Sequence, residues 1–332
     1  MTGKGVGVGR CRPPRLTILV MVDTVLLRLP ARDARGVDFV EETAAYLQNP
    51  AEHWYSEGGT CITGRLDGLS FSCTERALKL NGGSLCKWHL GDNYSDMGRR
   101  DIEQAVERLS DTLHVDMSRA QVTRLDVGHS IITKHPTDVY LSHLGAYQRA
   151  RRLVEPHTLY YDTRDERLAF YDKNREQRAT GGKVPELYAG RNVLRYERRF
   201  TKHLPAHLQV DEVTASTLYN EQFYIALLKS WAAGYMEISK INDIQLNCTQ
   251  MTGKKDFYRQ AARALIEQLG GEVAMLQQLT EARKRGEISA KAACDLKQAV
   301  KDACKADGKL VVPSEAISEL DAKIKEAVRF YR

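Results

Sequence analysis

The chain has no closely spaced cysteine pair, no long apolar run, no Walker sequence and no G-x-G-x-x-G, and each absence removes a class of function. Its seven cysteines, at positions 11, 61, 73, 86, 248, 294 and 304, are odd in number and make neither a zinc spacing nor a disulfide framework. A reducing compartment, the cytoplasm, is therefore expected. Without a phosphate loop or a dinucleotide fingerprint, neither nucleotide hydrolysis nor a dinucleotide cofactor is indicated. Glycines 3, 5, 7 and 9 precede the first apolar run instead of following it. That run, L-T-I-L-V-M-V at residues 16–22, is too short to span a bilayer. It lacks a small-residue cleavage site, so it reads as a core strand and not as a signal peptide or membrane anchor. No internal sequence repeat is evident.

What is present is a chain of 332 residues with a formal net charge of +6, long enough for a sizeable core and two domains. The basic balance leans toward a polyanionic partner without naming one. Residues 1–14, rich in glycine, arginine and proline, read as a flexible tail. Three runs in the middle of the chain, Thr158–Tyr161, Arg167–Tyr171 and Val193–Phe200, carry aromatic and β-branched residues between turn formers and read as strands. Alternation along them sends Leu168 and Phe170 one way and Tyr171 and Lys173 the other. It also sends Leu194, Tyr196, Arg198 and Phe200 one way, and Val193, Arg195, Glu197 and Arg199 the other.

Further strands are expected over Leu16–Leu29 and over Cys61–Leu66 and Leu69–Cys73, joined by Asp67-Gly68. Leu78–Leu80 and Ser84–Leu90, around Asn81-Gly82-Gly83, would make a second hairpin and a meander. Gln121–Ile132 reads as another strand, with Arg124 and Asp126 on one face and His129 on the other. Helices are expected over Phe39–Leu47, Asp96–Val115 and Pro136–Tyr147, the last burying Val139, Leu141 and Leu144. The run of arginines at 149–152 lies in a connection. After Pro205 the pattern turns helical: Val213–Ala232, Lys255–Gln268 on Phe257, Ala261 and Leu265, Val273–Arg285, Ser289–Ala306 and Ser314–Tyr331. Ser289 and Ser314 serve as caps, and Gly286 and Gly308 as stops. The reading is an α+β fold, a mostly antiparallel sheet with helices on one side, over residues 15–205. A helical accessory domain follows over 206–332.

A phenol, an ammonium and a carboxylate on one side of such a sheet, Tyr171, Lys173 and Glu197, suit phosphodiester cleavage through a covalent tyrosine. Ordinary charges on the wet face of a half-buried sheet give the same pattern. Asp126, flanked by Leu125 and Val127 inside a strand, is a depleted residue type at such a position. With Glu197 it offers hard oxygens for Mg²⁺ or Mn²⁺, while His129 reads as a core or edge histidine. Arg195 and Arg199 either cradle phosphate or neutralise Glu197. Lys87 and Trp88 form a basic–aromatic pair of the kind that grips single-stranded DNA.

Five stretches in order resemble the replication initiators of the gene II/X type found in filamentous phages, plasmids and related elements. They are M-V-D-T-V-L-L-R-L-P at 21–30, N-G-G-S-L-C-K-W-H-L-G-D-N at 81–93, S-R-A-Q-V-T-R-L-D-V at 118–127, R-L-A-F-Y-D-K at 167–173 and N-V-L-R-Y-E-R-R-F at 192–200. The resemblance implies a strand-specific endonuclease that starts rolling-circle replication. Such an enzyme nicks origin DNA, holds the 5′ phosphate on a tyrosine and later rejoins the displaced strand. On this chain the nucleophile falls on Tyr171, followed by Lys173, and the acidic positions on Asp126 and Glu197. Tyr160 and Tyr161 are left to fill the sheet. Arg124, Arg164, Arg167 and Arg175 would supply charge for the DNA backbone.

The distant relatives of these initiators carry a histidine–hydrophobic–histidine pair, and this chain has none, so carboxylates would stand in for imidazoles. Implied partners are single- and double-stranded origin DNA and a host helicase and polymerase. A non-catalytic origin-binding or regulatory protein, and a conjugative mobilisation relaxase, remain open as alternatives.

Overall fold

The computed structural model describes residues 21–54, 59–95, 97–148, 150–244, 251–305, 311–312 and 314–329. The expected N-terminal tail, residues 16–20 of the first strand, Asp96, Arg149, Ala306, Gly308 and Tyr331 lie outside the described residues. Ten strands make one antiparallel sheet: β1 (Met21–Pro30), β2 (Gln48–Trp54), β3 (Thr60–Leu66), β4 (Leu69–Thr74), β5 (Ala77–Gly82), β6 (Gln121–Thr133), β7 (Arg151–Glu155), β8 (Thr158–Asp162), β9 (Glu166–Asp172) and β10 (Asn192–Phe200). Their spatial order is β2-β3-β4-β5-β1-β6-β10-β9-β8-β7. Each half follows the same path. A first strand, β1 or β6, is followed by four more, the last of which returns beside it. The two halves meet where β1 and β6 pair antiparallel, a two-fold relation that no repeated residues announce.

Helices fill the connections: α1 (Leu85–Leu90), α2 (Arg99–Leu113), α3 (Thr137–Ser142), α4 (Lys173–Ala179), α5 (Leu204–Leu208), α6 (Glu221–Met236), α7 (Lys254–Gln268), α8 (Gly271–Lys284), α9 (Ala290–Cys304) and α10 (Glu315–Arg329). A two-residue pair, β11 (Asp243–Ile244) and β12 (Val311–Val312), forms a separate small sheet. Among the described residues no helix is long and apolar enough to cross a membrane.

The Asp67-Gly68 turn forms as expected, with φ of 46° and 94°, the left-handed pair that a two-residue hairpin demands. The second hairpin does not. Leu85–Leu90 is a helix, because the Ser84 side chain accepts the Lys87 N–H at 3.1 Å and Gly91 ends the turn at φ 88°. β5 therefore pairs with β1 instead of with a following strand. Two edge strands escaped the pattern. β2 contains Pro50 and is exposed along its length, so it has no alternation to read. β7 begins within the arginine run that reads as a connection.

One face of the sheet is aromatic. Phe170 and Tyr196 stack at 4.4 Å, Tyr196 lies 4.8 Å from Trp231 of α6, and the Tyr196 hydroxyl donates to the Trp231 carbonyl at 2.9 Å. Buried Phe223, Leu227 and Tyr235 of α6 and Ile317, Leu320 and Ile324 of α10 belong to this same core. α7, α8 and α9 instead enclose a small cluster of Ile266, Val300 and Ala303. The expected 205/206 boundary thus falls between the sheet and two helices that pack within its core. The inward face expected of α7 is turned outward, with Phe257 and Leu265 52% and 51% exposed, whereas on the Val139, Leu141 and Leu144 face only Val139 is exposed, at 37%, and Leu141 and Leu144 are buried. α7 packs through Gln260, Ile266 and Glu267, and α3 through Tyr140 and Leu141. α3 is shorter than expected, and α6 begins at Glu221, after a bridge from Thr214 to Gln121.

Candidate active site

The opposite face of β6, β10 and β9 carries the charges. Cross-strand pairing sets Arg195 beside Tyr171, Glu197 beside Gly128 and Ala169, and Arg199 beside Asp126 and Arg167. The alternation read from the sequence is the alternation observed over β10 and, as far as Tyr171, over β9. One more acidic residue joins it from β1. The β1–β6 register shifts between Val22 and Thr24, and Asp23 is the extra residue. Val22 pairs with Val127 on the aromatic side, so alternation points Asp23 to the charged side, and the extra residue leaves Thr24 opposite Asp126.

The result is a row in which carboxylates and guanidinium groups alternate. Asp23 Oδ2 lies 3.4 Å from Arg195 Nη2, and Arg195 Nε donates to Glu197 Oε1 at 3.1 Å. Arg199 Nε and Nη2 donate to Glu197 Oε2 at 2.9 and 2.7 Å, and Arg199 Nε lies 3.9 Å from Asp126 Oδ2. Arg124 closes the row, donating to both oxygens of Asp126 at 2.9 and 2.6 Å. Arg195 is fully buried and also donates to Ser130 Oγ at 3.0 Å. At the middle of the row the Tyr171 hydroxyl donates to Glu197 Oε1 at 2.6 Å, with the tyrosine partly exposed.

These neighbours shift the acids and the phenol. Burial, followed by the Glu197 charge, holds Tyr171 well above the ordinary phenol range. Burial alone would raise Glu197, but Arg195 and Arg199 outweigh it and hold the carboxyl at about 2. Asp126 and Asp23 are raised by burial, opposed chiefly by Arg124 and Arg195 respectively.

Lys173 reaches the site from a different element than expected. β9 ends at Asp172, whose carboxylate caps α4 by accepting the Arg175 N–H at 2.9 Å, and Lys173 is the first helical residue. Its side chain is 1% exposed, and its Nζ binds Glu176 at 2.9 Å and stands 5.9 Å from the Tyr171 ring centre and 5.4 Å from that of Tyr94. Asn174 ties this corner together. It accepts from the Tyr94 hydroxyl at 2.9 Å and donates to the carbonyls of Tyr188 and Arg191, each at 2.9 Å.

The expected metal pair meets a row of arginines. Glu197 already accepts from Tyr171 and Arg195 on one oxygen and twice from Arg199 on the other, which uses its lone pairs. A Mg²⁺ or Mn²⁺ ion shared by Asp126 and Glu197 would have to displace Arg199 from between them. Among the described residues no group of three or more His, Cys, Asp or Glu side chains could hold a metal ion.

The remaining positions divide by exposure. Lys87, Arg164 and Arg175 are exposed. Trp88 is not available to stack on a base as the residue pair suggested, because it lies 8% exposed on α1 with Arg108 4.2 Å over its ring. Arg167 is pinned to Asp162, with its second contact at 2.9 Å, and lies 4.9 Å over Tyr160. Tyr160 shares the face of Tyr171, whereas Tyr161 is fully buried on the other face and donates to the Gly145 carbonyl at 2.7 Å. His129 is a core histidine edge-on to Trp231, at 6.5 Å.

Sequence reasoning missed Asp23, Asn174 and Gly128. The last had a usable signal, a glycine inside a strand. A Cβ on Gly128 would meet Glu197 Cγ at 2.7 Å and Arg195 Nε at 3.1 Å.

The family model for the N-terminal part of the phage replication-associated protein of the gene II type matches residues 21–232, from the first strand to within α6. No curated protein matches the chain.

Proposed function

The chain belongs to the gene II family of replication-associated proteins, a membership that supports a role in rolling-circle DNA replication, and from that premise we propose that it is the site- and strand-specific endonuclease that nicks the origin through Tyr171. The proposed reaction transfers a DNA 5′ phosphate to the Tyr171 oxygen and releases a 3′ hydroxyl to prime synthesis. A later attack by a 3′ hydroxyl rejoins the displaced strand. The phosphodiester energy is kept in the protein–DNA bond, so no nucleotide is consumed.

The observation that carries this reading is the setting of the Tyr171 hydroxyl. It belongs to a tyrosine that is partly exposed as a whole, is held at 2.6 Å by Glu197 and is flanked by the row containing Arg195 and Arg199. A phosphodiester has charge to be neutralised as its geometry changes, and fixed cations beside the nucleophile serve that need. Exposed Lys87, Arg164 and Arg175 are proposed backbone contacts for single- and double-stranded origin DNA. A host helicase and polymerase would extend the primed strand. Mg²⁺ or Mn²⁺ is the supporting ion the resemblance implies.

The test is a nicking reaction on supercoiled plasmid carrying candidate origins, with Mg²⁺ or Mn²⁺ supplied. The native chain is expected to nick one strand and remain joined to its 5′ end. Tyr171→Phe removes one oxygen and little volume, so it should keep origin binding and lose both nick and adduct. A nick that survives in Tyr171→Phe, or an adduct mapped by peptide sequencing to Tyr160 or Tyr161, rejects Tyr171. Origin binding without any adduct in the native chain leaves the non-catalytic reading. Adducts formed only at transfer origins would make the protein a mobilisation relaxase.

A further inference from the structure

Glu197 is expected to hold a metal ion, yet its surroundings suit another task. Its Oε1 accepts the Tyr171 hydroxyl at 2.6 Å, a short contact of the charge-assisted kind. Its side chain is 3% exposed, so solvent scarcely competes for that oxygen. The charged groups facing the pair come from four elements: Arg195 and Arg199 of β10, Asp23 of β1, Asp126 of β6 and Lys173 of α4. Arg195 is enclosed, whereas Arg199 is 24% exposed and open to an incoming anion. A phenol that attacks phosphorus must lose its proton, and Glu197 is the carboxylate already bonded to it.

We propose that Glu197 is the proton acceptor for Tyr171 and does not serve as a metal ligand, a catalytic role that rests on the nicking reading. As the Tyr171 oxygen bonds to phosphorus, its proton passes to Glu197 Oε1. The P–O3′ bond breaks, its electron pair stays on the 3′ oxygen, and that oxygen takes a proton from water. Rejoining runs the same path backward: the 3′ hydroxyl gives its proton to water as its oxygen bonds to phosphorus, the bond from phosphorus to the Tyr171 oxygen breaks, and protonated Glu197 returns the proton to that phenol oxygen. In the resting site the proton stays on Tyr171, because burial and the Glu197 charge raise the phenol while Arg195 and Arg199 keep Glu197 at about 2 in spite of burial. Bond formation to phosphorus makes the phenol oxygen electron-poor and its proton transferable. A phosphate that draws Arg199 to itself also relieves Glu197 of one of its two cations, which strengthens it as a base.

The test uses the full-length protein and a single-stranded origin oligonucleotide at saturating concentration, with the covalent adduct quantified over time. If the native chain forms no adduct, the nicking reading fails and this inference with it. Failures particular to Glu197 are seen only where the native adduct forms. The native rate is expected to be flat from about pH 6 to pH 9, because Glu197 is ionised throughout. A rise of about tenfold per pH unit would mean that free phenolate attacks, and would overturn the proposal.

Glu197→Gln keeps a hydrogen-bond partner without a base and should slow adduct formation by about 10²–10⁴-fold. Replacing Tyr171 by 3,5-difluorotyrosine, whose phenol ionises more readily, should recover most of that loss in the same variant. A near-native rate for Glu197→Gln, or a loss that fluorination leaves unchanged, overturns the assignment. Mn²⁺ binding followed by electron paramagnetic resonance should be equal in the native and Glu197→Gln chains, and a weakened Mn²⁺ site also overturns it. If Glu197→Gln does not fold around buried Arg195, the pH profile of the native chain decides.

Discussion

Gly128 shows how little room the site has. It sits opposite Glu197 on the neighbouring strand, and a methyl group there would press on Glu197, Arg195 and the Tyr196 carbonyl at 2.7, 3.1 and 3.0 Å. Neither side chain can yield, since both are buried and bonded. Gly128→Ala should therefore cost about 1–3 kcal/mol in urea unfolding. By shifting Glu197 away from Tyr171 it should also slow adduct formation by about 10²-fold. Native kinetics in Gly128→Ala would show that the Tyr171–Glu197 distance is unimportant. Acid should act through the same residue. Glu197 titrates at about 2 in the fold against an ordinary 4.5. Its contribution is thus complete above 4.5 and disappears as pH falls toward 2. Asp23 and Asp126, raised by burial, act in the opposite direction, because protonation eases their burial. The urea midpoint should fall between about pH 5 and pH 3 by less in a folded Glu197→Gln chain than in the native one. An equal fall in both would show that Glu197 is not held low.

At the scale of elements, the corner behind Tyr171 depends on where β9 stops. Asp172 ends the strand and caps α4 in one step, so the nucleophile and the buried Lys173 are fixed by adjacent residues in different backbone conformations. Asp172→Ala removes the 2.9 Å cap to Arg175 and should cost about 1 kcal/mol, seen as a melting point lowered by a few degrees. Adduct formation should fall with it, because Lys173 and Asn174 ride on the first turn of α4. An unchanged melting point would mean that α4 is held by its Asn174 contacts alone. The β1–β6 bulge is the other local feature of the site, since it falls at Asp23, whose carboxylate faces Arg195.

At the scale of the whole molecule, the charged face is displayed by a sheet whose other face requires α6 and α10. Phe170 and Tyr196 are fully buried beneath Trp231 and Tyr235, and α10 covers α6 with Leu320 and Ile324. Loss of the Trp231 side chain alone should cost about 3–5 kcal/mol, a large share of the roughly 5–15 kcal/mol that holds a domain together. A fragment of residues 15–205 should accordingly bind a hydrophobic dye and melt without cooperativity. A cooperative melt from that fragment, with cleavage of a short origin oligonucleotide, would show instead that residues 206–332 are a separable accessory domain.

The residues by themselves determined which side chains share a face. The two-residue period of β9 and β10 fixed Tyr171, Arg195, Glu197 and Arg199 on one side and Phe170 and Tyr196 on the other, whatever the sheet order. They also determined the Asp67-Gly68 hairpin and the Ser289 cap of α9, because turns and caps are decided within a few bonds. Tertiary structure decided what those faces met. β5 turned back to β1, a pairing set by distant residues and not by the nearby turn. Phe257 and Leu265 of α7 stayed exposed because a helical period gives a face without giving its neighbour. Above all, Asp126 and Glu197 came together around Arg199 instead of around an open space. Strand alternation places both carboxylates on one side but says nothing of which cation stands between them. That was settled by the antiparallel register of β6 and β10, which sets Arg199 directly opposite Asp126 and two residues from Glu197.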